Sequence, residues 1–137
     1  MNQSSLTTLA TRAEPFTYAA LRIVSGAMFS FHGMQKILGL YANGQPPVGS
    51  QIWVGGIIEL VCGTLIALGL FTRAAAFLAS GTMAVAYFQF HWKFAVADGM
   101  WLPAINKGEP AVLYCFLFLF LAARGDGIAS LGGRRRG

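Results

Sequence analysis

The stretch Gln51 to Leu70, QIWVGGIIELVCGTLIALGL, is apolar apart from a single carboxylate, Glu59. Its length matches the ~20 helical residues that ~30 Å of hydrocarbon requires. An acid at that depth is costly to bury and is a functional candidate by default. Gly55 and Gly63, four residues to either side, put Glu59 on the face where a neighbouring backbone approaches, so it should point into protein. Two readings are open for it: a hydrogen bond that only ties helices together, or binding and proton chemistry.

The rest of the chain fits this beginning. Of 137 residues, 55% are hydrophobic and only 11% charged, against ~25% charged in an ordinary soluble domain. Further apolar stretches run over roughly 17–38, 73–90 and 110–123. The expectation is an all-α fold, an integral membrane four-helix bundle, as a single domain over 1–137. The first fifteen residues, MNQSSLTTLATRAEP, lack the apolar core of a signal peptide and read as a polar cytosolic tail. Residues 132–137, GGRRRG, read as a basic tail beside lipid headgroups.

Orientation follows from the basic residues. Arg12, Arg73, Arg124 and Arg134 to Arg136 fall with the termini and the short turn LFTR, whereas Lys36, Lys93 and Lys107 fall at the opposite end. Six against three predicts cytoplasmic N and C termini. The net charge of +5 then reflects topology and attraction to anionic lipid, and a three-arginine tail makes no nucleic-acid module. Cys62 and Cys115 have neither CxxC nor metal-type spacing and read as free packing residues, with no metal site expected. Between His91 and Glu109 the link HWKFAVADGMWLPAINKGE carries Trp92 and Trp101, suited to the headgroup layer, and reads as a partial lid.

The first apolar stretch carries Arg22, Ser25, Gly26, Phe29, His32, Gly33 and Lys36 at three- and four-residue intervals. These polar groups therefore share one stripe that must face the bundle or water. At 1.5 Å per residue, His32 and Glu59 lie about 9 and 10 Å below the outer boundary, which makes His32 the preferred contact of Glu59. Arg22 lies deeper, and two readings stand: it snorkels to the inner headgroups, or it extends to pair with Glu59. Lys36 reads as a snorkelling residue. Tyr87, His91 and Tyr114 are further candidates for the same outer pocket. A faint echo at an offset of 55 relates Ser25-Gly26 to Ser80-Gly81, His32 to Tyr87 and Glu59 to Tyr114. It reads as a parallel repeat of two helical hairpins with the site between them.

The segments Leu21 to Lys36 (LRIVSGAMFSFHGMQK), Gly55 to Arg73 (GGIIELVCGTLIALGLFTR), Asn106 to Tyr114 (NKGEPAVLY) and Arg124 to Leu131 (RGDGIASL) together resemble the DoxX family. The resemblance runs from about Ala19 to Leu131, and its most specific part surrounds Glu59. It implies a four-helix bundle in the bacterial inner membrane, associated with thiosulfate or quinol oxidation or with redox and sulfur-stress complexes. Arg22, His32, Lys36, Glu59, Asn106 and Glu109 occupy the positions of the family's polar pattern. Lys107 stands where a glycine is usual, and Gly132 where an aspartate often follows the Ser-Leu pair.

Three function classes follow. The first is a redox accessory subunit that binds quinone or a small sulfur species, with Glu59 and His32 as the proton-handling pair and Arg22, Tyr87, His91 and Tyr114 around the ligand. No haem, flavin, iron–sulfur or nucleotide motif is present, so electrons would pass through the quinone or a partner in a larger membrane complex. The second is a non-enzymatic scaffold, as a homo-oligomer or with other helices. The third is a small-solute carrier.

Overall fold

In the computed structural model, which describes residues 2–133, the described chain is helical and without strands. Helix α1 spans Gln3–Leu38, α2 Gln51–Leu68, α3 Thr72–Ala86, α4 Pro103–Asn106 and α5 Glu109–Arg124. A π-helical segment, Tyr87–Trp92, continues α3 directly. The basic run Arg134 to Arg136 lies outside the described residues.

Local chemistry sets the limits of α2. The Ser50 hydroxyl accepts the Trp53 N–H at 3.3 Å, satisfying one free donor of the first turn. At the other end Gly69 adopts φ 65°, and the Leu70 N–H returns to the Leu65 carbonyl at 2.9 Å. A left-handed glycine closing such a bond is the usual stop signal of a helix. The chain then turns at once into α3. This turn defines one end of the molecule, the turn end; the connections 39–50 and 93–108 define the other, the loop end.

Residues 3–15 do not form an irregular tail. They are the exposed first turns of α1, with Pro15 inside the helix. Here Arg124 at the end of α5 bonds Glu14 and holds its carboxyl below the ordinary range.

Helices α1 and α2 meet backbone to backbone. A Cβ added at Gly26 would lie 2.5 Å from the Ala67 nitrogen, at Gly33 2.7 Å from the Gly56 oxygen, and at Gly63 2.7 Å from the Gly26 oxygen. Each helix thus presents two glycines seven residues apart, and only glycine permits so close an approach. Gly63 takes part in this contact as expected. Gly55 does not, because the packed glycine is its neighbour Gly56; one residue is ~100° of helix rotation.

Helices α3 and α5 pack differently. Ala75, Ala76 and Ala79 are buried against Phe118 and Leu121, and Phe29 of α1 reaches across to Phe118 with ring centroids 4.7 Å apart. The two pairs are α1 with α2 and α3 with α5, as a hairpin repeat would have it, but the echoed residues are not equivalent. Gly26 is wedged against α2 while Gly81 meets nothing, and the Ser25 hydroxyl bonds within α1 while that of Ser80 donates to the Cys115 carbonyl of α5 at 2.8 Å. Cys62 and Cys115 are free.

The outward faces are apolar. Val24 and Met28 on α1, Val54 and Val61 on α2, Phe77 and Leu78 on α3, and Leu113 and Phe116 on α5 are all exposed. Contiguous apolar surface of this extent needs a covering medium, and lipid tails supply one. By length and composition one helix among the described residues, α2, suffices to cross a membrane, with a mean hydropathy of 1.8. Helix α5, at 16 residues, covers the apolar stretch 110–123, and α3, at 15, covers the stretch 73–90 only with its π segment.

Candidate functional site

Arg22 is wholly buried, and it neither snorkels nor reaches Glu59. Its guanidinium donates to the Ile66 and Ala67 carbonyls at 2.7 and 2.9 Å and to those of Ile128 and Ala129 at 3.3 and 2.8 Å. The first two belong to the last turn of α2, where the carbonyls carry partial negative charge and that of Ile66 also accepts the Gly69 N–H at 3.1 Å. The other two belong to the segment after α5, which also bonds the turn end through Leu131 N–H to Leu68 and Gly132 N–H to Gly69. Arg22 is therefore a clamp that fastens α1, α2 and the C-terminal segment together. Arg73 at the start of α3 does the same for the end of α5, donating to the Ala122 and Arg124 carbonyls at 3.1 Å each. At Gly132 a side chain would stand 2.8 Å from the Gly69 oxygen and 3.0 Å from an Asp126 carboxylate oxygen, so an aspartate there would crowd one already present.

Towards the loop end the bundle holds a cavity of about 670 Å³. Phe29, Ile58, Met83 and Tyr114 give it apolar walls, and Glu59 and Lys36 supply its charges. Glu59 is 4% exposed, and its Oε1 accepts from Lys36 Nζ at 2.5 Å. Its Oε2 is buried with no hydrogen-bond partner in the protein. A carboxylate oxygen left in this state forfeits the hydration it had in water, so the site retains an open acceptor.

The partner of Glu59 is thus Lys36, not His32. The depth count compared Cα positions, but the lysine stem reaches back down the helix from a turn nearer the loop end. Gly56 makes this possible, since a Cβ there would lie 2.8 Å from the Lys36 Cβ. The signal was present in the sequence: Lys36 follows His32 by four residues on the same stripe, and Gly56 precedes Glu59 by three. His32 is exposed, lines the same cavity and makes no hydrogen bond to Glu59 among the described residues.

His91 and Tyr114 also line the cavity. The π segment carries Phe90 and His91 onto the wall begun by Val85 and Ala86, and wide turns of this kind recur at functional sites. The Tyr114 ring packs on Phe29 and Phe118, at 5.8 and 5.3 Å between centroids. Tyr87 stands apart, its hydroxyl donating to the Trp101 carbonyl at 2.6 Å. It helps order the link 93–108 around Asn106, whose amide donates to the Met100 carbonyl at 2.9 Å and accepts the Gly108 N–H at 2.8 Å. His91 Nδ1 meets the Asn106 carbonyl at 3.3 Å, joining this link to the cavity rim. Of the six residues expected around a ligand, His32, Glu59, His91 and Tyr114 share one cavity, whereas Arg22 and Tyr87 serve the framework.

The sequence profile of the DoxX family matches residues 17–92. That span contains Arg22, His32, Lys36, Glu59 and both glycine pairs of the α1–α2 contact. A protein of Haemophilus influenzae, named only as an uncharacterized protein, is 42% identical over 121 residues, covering 85% of this chain and 89% of its own length. No solved structure matches the chain. The clamped α1–α2 pair and the cavity it borders therefore belong to a membrane protein of the DoxX family.

Proposed function

We propose that this protein is a multi-pass protein of the bacterial inner membrane that binds a quinol in the Lys36–Glu59 cavity, as an accessory subunit of a membrane redox or sulfur-oxidising system. The observation that carries this reading is the unpartnered Glu59 Oε2 against an apolar cavity of about 670 Å³. An open acceptor asks for a donor, and a quinol hydroxyl is one. A sulfur oxyanion is a poorer fit, because the free atom is itself a carboxylate oxygen and repels it. Lys36 offsets the charge of Glu59 and can donate to the oxygen of the same hydroxyl.

In this reading the quinol gives up its two electrons to a partner redox centre, and Glu59 takes its two hydroxyl protons in turn, passing the first on before accepting the second. His32, exposed on the cavity wall, is the next group able to carry the proton away. The cytoplasmic placement of both termini rests on the six basic residues that the sequence groups with the termini and the turn LFTR.

The test is titration of the detergent-extracted protein with a quinone analogue, followed by tryptophan fluorescence. The expected outcome is saturable quenching that Glu59→Gln weakens by about tenfold, one hydrogen bond to a charged group being worth ~1.5 kcal/mol. A scaffold role is the second reading, favoured by one observation: the seam between α1 and α5 is an apolar groove of about 630 Å³, lined by Leu21, Val24, Met28, Leu113 and Leu117. No saturable binding of any quinone, with a stoichiometric membrane partner instead, would decide for it.

A further inference from the structure

Gly26, Gly33, Gly56 and Gly63 are explained by packing, because a Cβ at any of them would collide with α1 or α2. Gly55 and Gly81 are not. A Cβ built at either meets no atom within 4 Å, yet both line the cavity, Gly55 from α2 and Gly81 from α3. Glycine costs a helix about 1 kcal/mol relative to alanine, so two helices carry this cost at positions where nothing in the protein requires it. They face the same empty space.

That space opens sideways. Val54, Phe77, Leu78 and Val85 line the cavity and are also exposed on the outer surface of α2 and α3. Below the opening the two helices close at the turn around Gly69. Above it, the Gln51 and Gln89 side chains are bonded to one another across the gap. The cavity therefore has a window between α2 and α3 with apolar jambs, and Glu59 with its open Oε2 lies inside it.

We propose that this window is a lateral portal that holds the apolar tail of the cavity's ligand between Gly55 and Gly81, with the ligand's hydroxyl-bearing head at Glu59. The ligand is then a tail-bearing molecule drawn from the bilayer, not a solute taken from water. The inference rests on the quinone reading above and names the class of quinone. A tail lying in the window needs the two helix surfaces free of side chains where it crosses, as they are. Its head meets the buried Glu59 Oε2, which has no hydrogen-bond partner among the described residues.

The experiment compares two quinones of one head group, tailless and decyl-tailed, against the parent protein, Gly55→Leu and Gly81→Leu in the same detergent. Each affinity is read as a ratio of variant to parent, so that partition of the tail into detergent cancels. Both variants should melt at or above the parent, since leucine is the better helix former and its Cβ meets nothing. Gly81→Ala, adding one methyl, is the control for fold. The expected result is that each leucine variant weakens the decyl-tailed quinone by about tenfold or more, the scale of overpacking a filled space. The tailless quinone should change by less than about twofold. Equal ratios for the two quinones in both variants would overturn the portal while leaving the head site standing. Failure of either quinone to bind the parent would overturn the quinone reading and the portal with it.

Discussion

The two ends of the molecule treat a buried charge in different ways. At the turn end Arg22 is wholly enclosed, and both of its terminal nitrogens find carbonyls, on α2 and on the segment after α5, leaving only its Nε without a partner. At the loop end Glu59 is almost as deeply enclosed, yet one oxygen is bonded and the other is not. Burial costs both groups their hydration. Where the protein itself supplies nearly every partner, the charge acts as a fastening. Where it withholds one beside a cavity, the charge is available to something else. The glycines repeat the lesson, closing the α1–α2 contact at Gly26 and Gly63 but leaving space at Gly55 and Gly81.

The largest effect should come from breaking the turn end. Arg22→Met strands carbonyls of α2 and of the C-terminal segment at once, and the expected loss is roughly 3–5 kcal/mol of stability, at ~1–3 kcal/mol for each stranded buried group. Thermal melting in detergent measures it. Arg22→Lys should restore only a minor part, because an ammonium cannot fork across two pairs of carbonyls. A variant that melts like the parent would remove the contrast between the ends.

The loop end should respond less, and conditionally. Lys36→Met leaves Glu59 buried without its partner and should cost about 1–3 kcal/mol, kept low because the lysine side chain is one-third exposed. Adding Glu59→Gln to it should recover much of the loss, since no uncompensated charge remains. Additive losses in this double-mutant cycle would mean that the pair is not coupled.

The smallest effect has the opposite sign. Lys107 closes α4 in the left-handed region, with φ 61°. It is the position at which the family resemblance leads one to expect glycine. Lys107→Gly should therefore stabilise the link 93–108 by about 1 kcal/mol, read as a small rise in melting temperature. A fall would show that the lysine side chain contributes more than its backbone costs.

Much of this architecture was legible in the chain. Glu59 announces itself because a single carboxylate inside an apolar stretch is expensive wherever that stretch ends up. Ser50 and Gly69 mark the ends of α2 through bonds made within a few residues of themselves, so no distant partner is needed to read them.

The partners of the buried charges belonged to the tertiary structure alone. Arg22 bonds carbonyls of residues 44 to 107 positions away, and every residue has a carbonyl, so no side-chain identity points to them. Lys36 lies beyond His32 on the stripe, and a count of helical rise cannot see how far a four-carbon stem reaches back. Gly55 and Gly56 are adjacent and chemically identical, yet one faces space and the other the Lys36 and Ile37 side chains of α1. The sequence determines that α2 has a glycine-lined, acid-bearing face. Only the rotation of α2 against α1, set by how deeply their backbones interlock, decides which glycine closes the fold and which is left open.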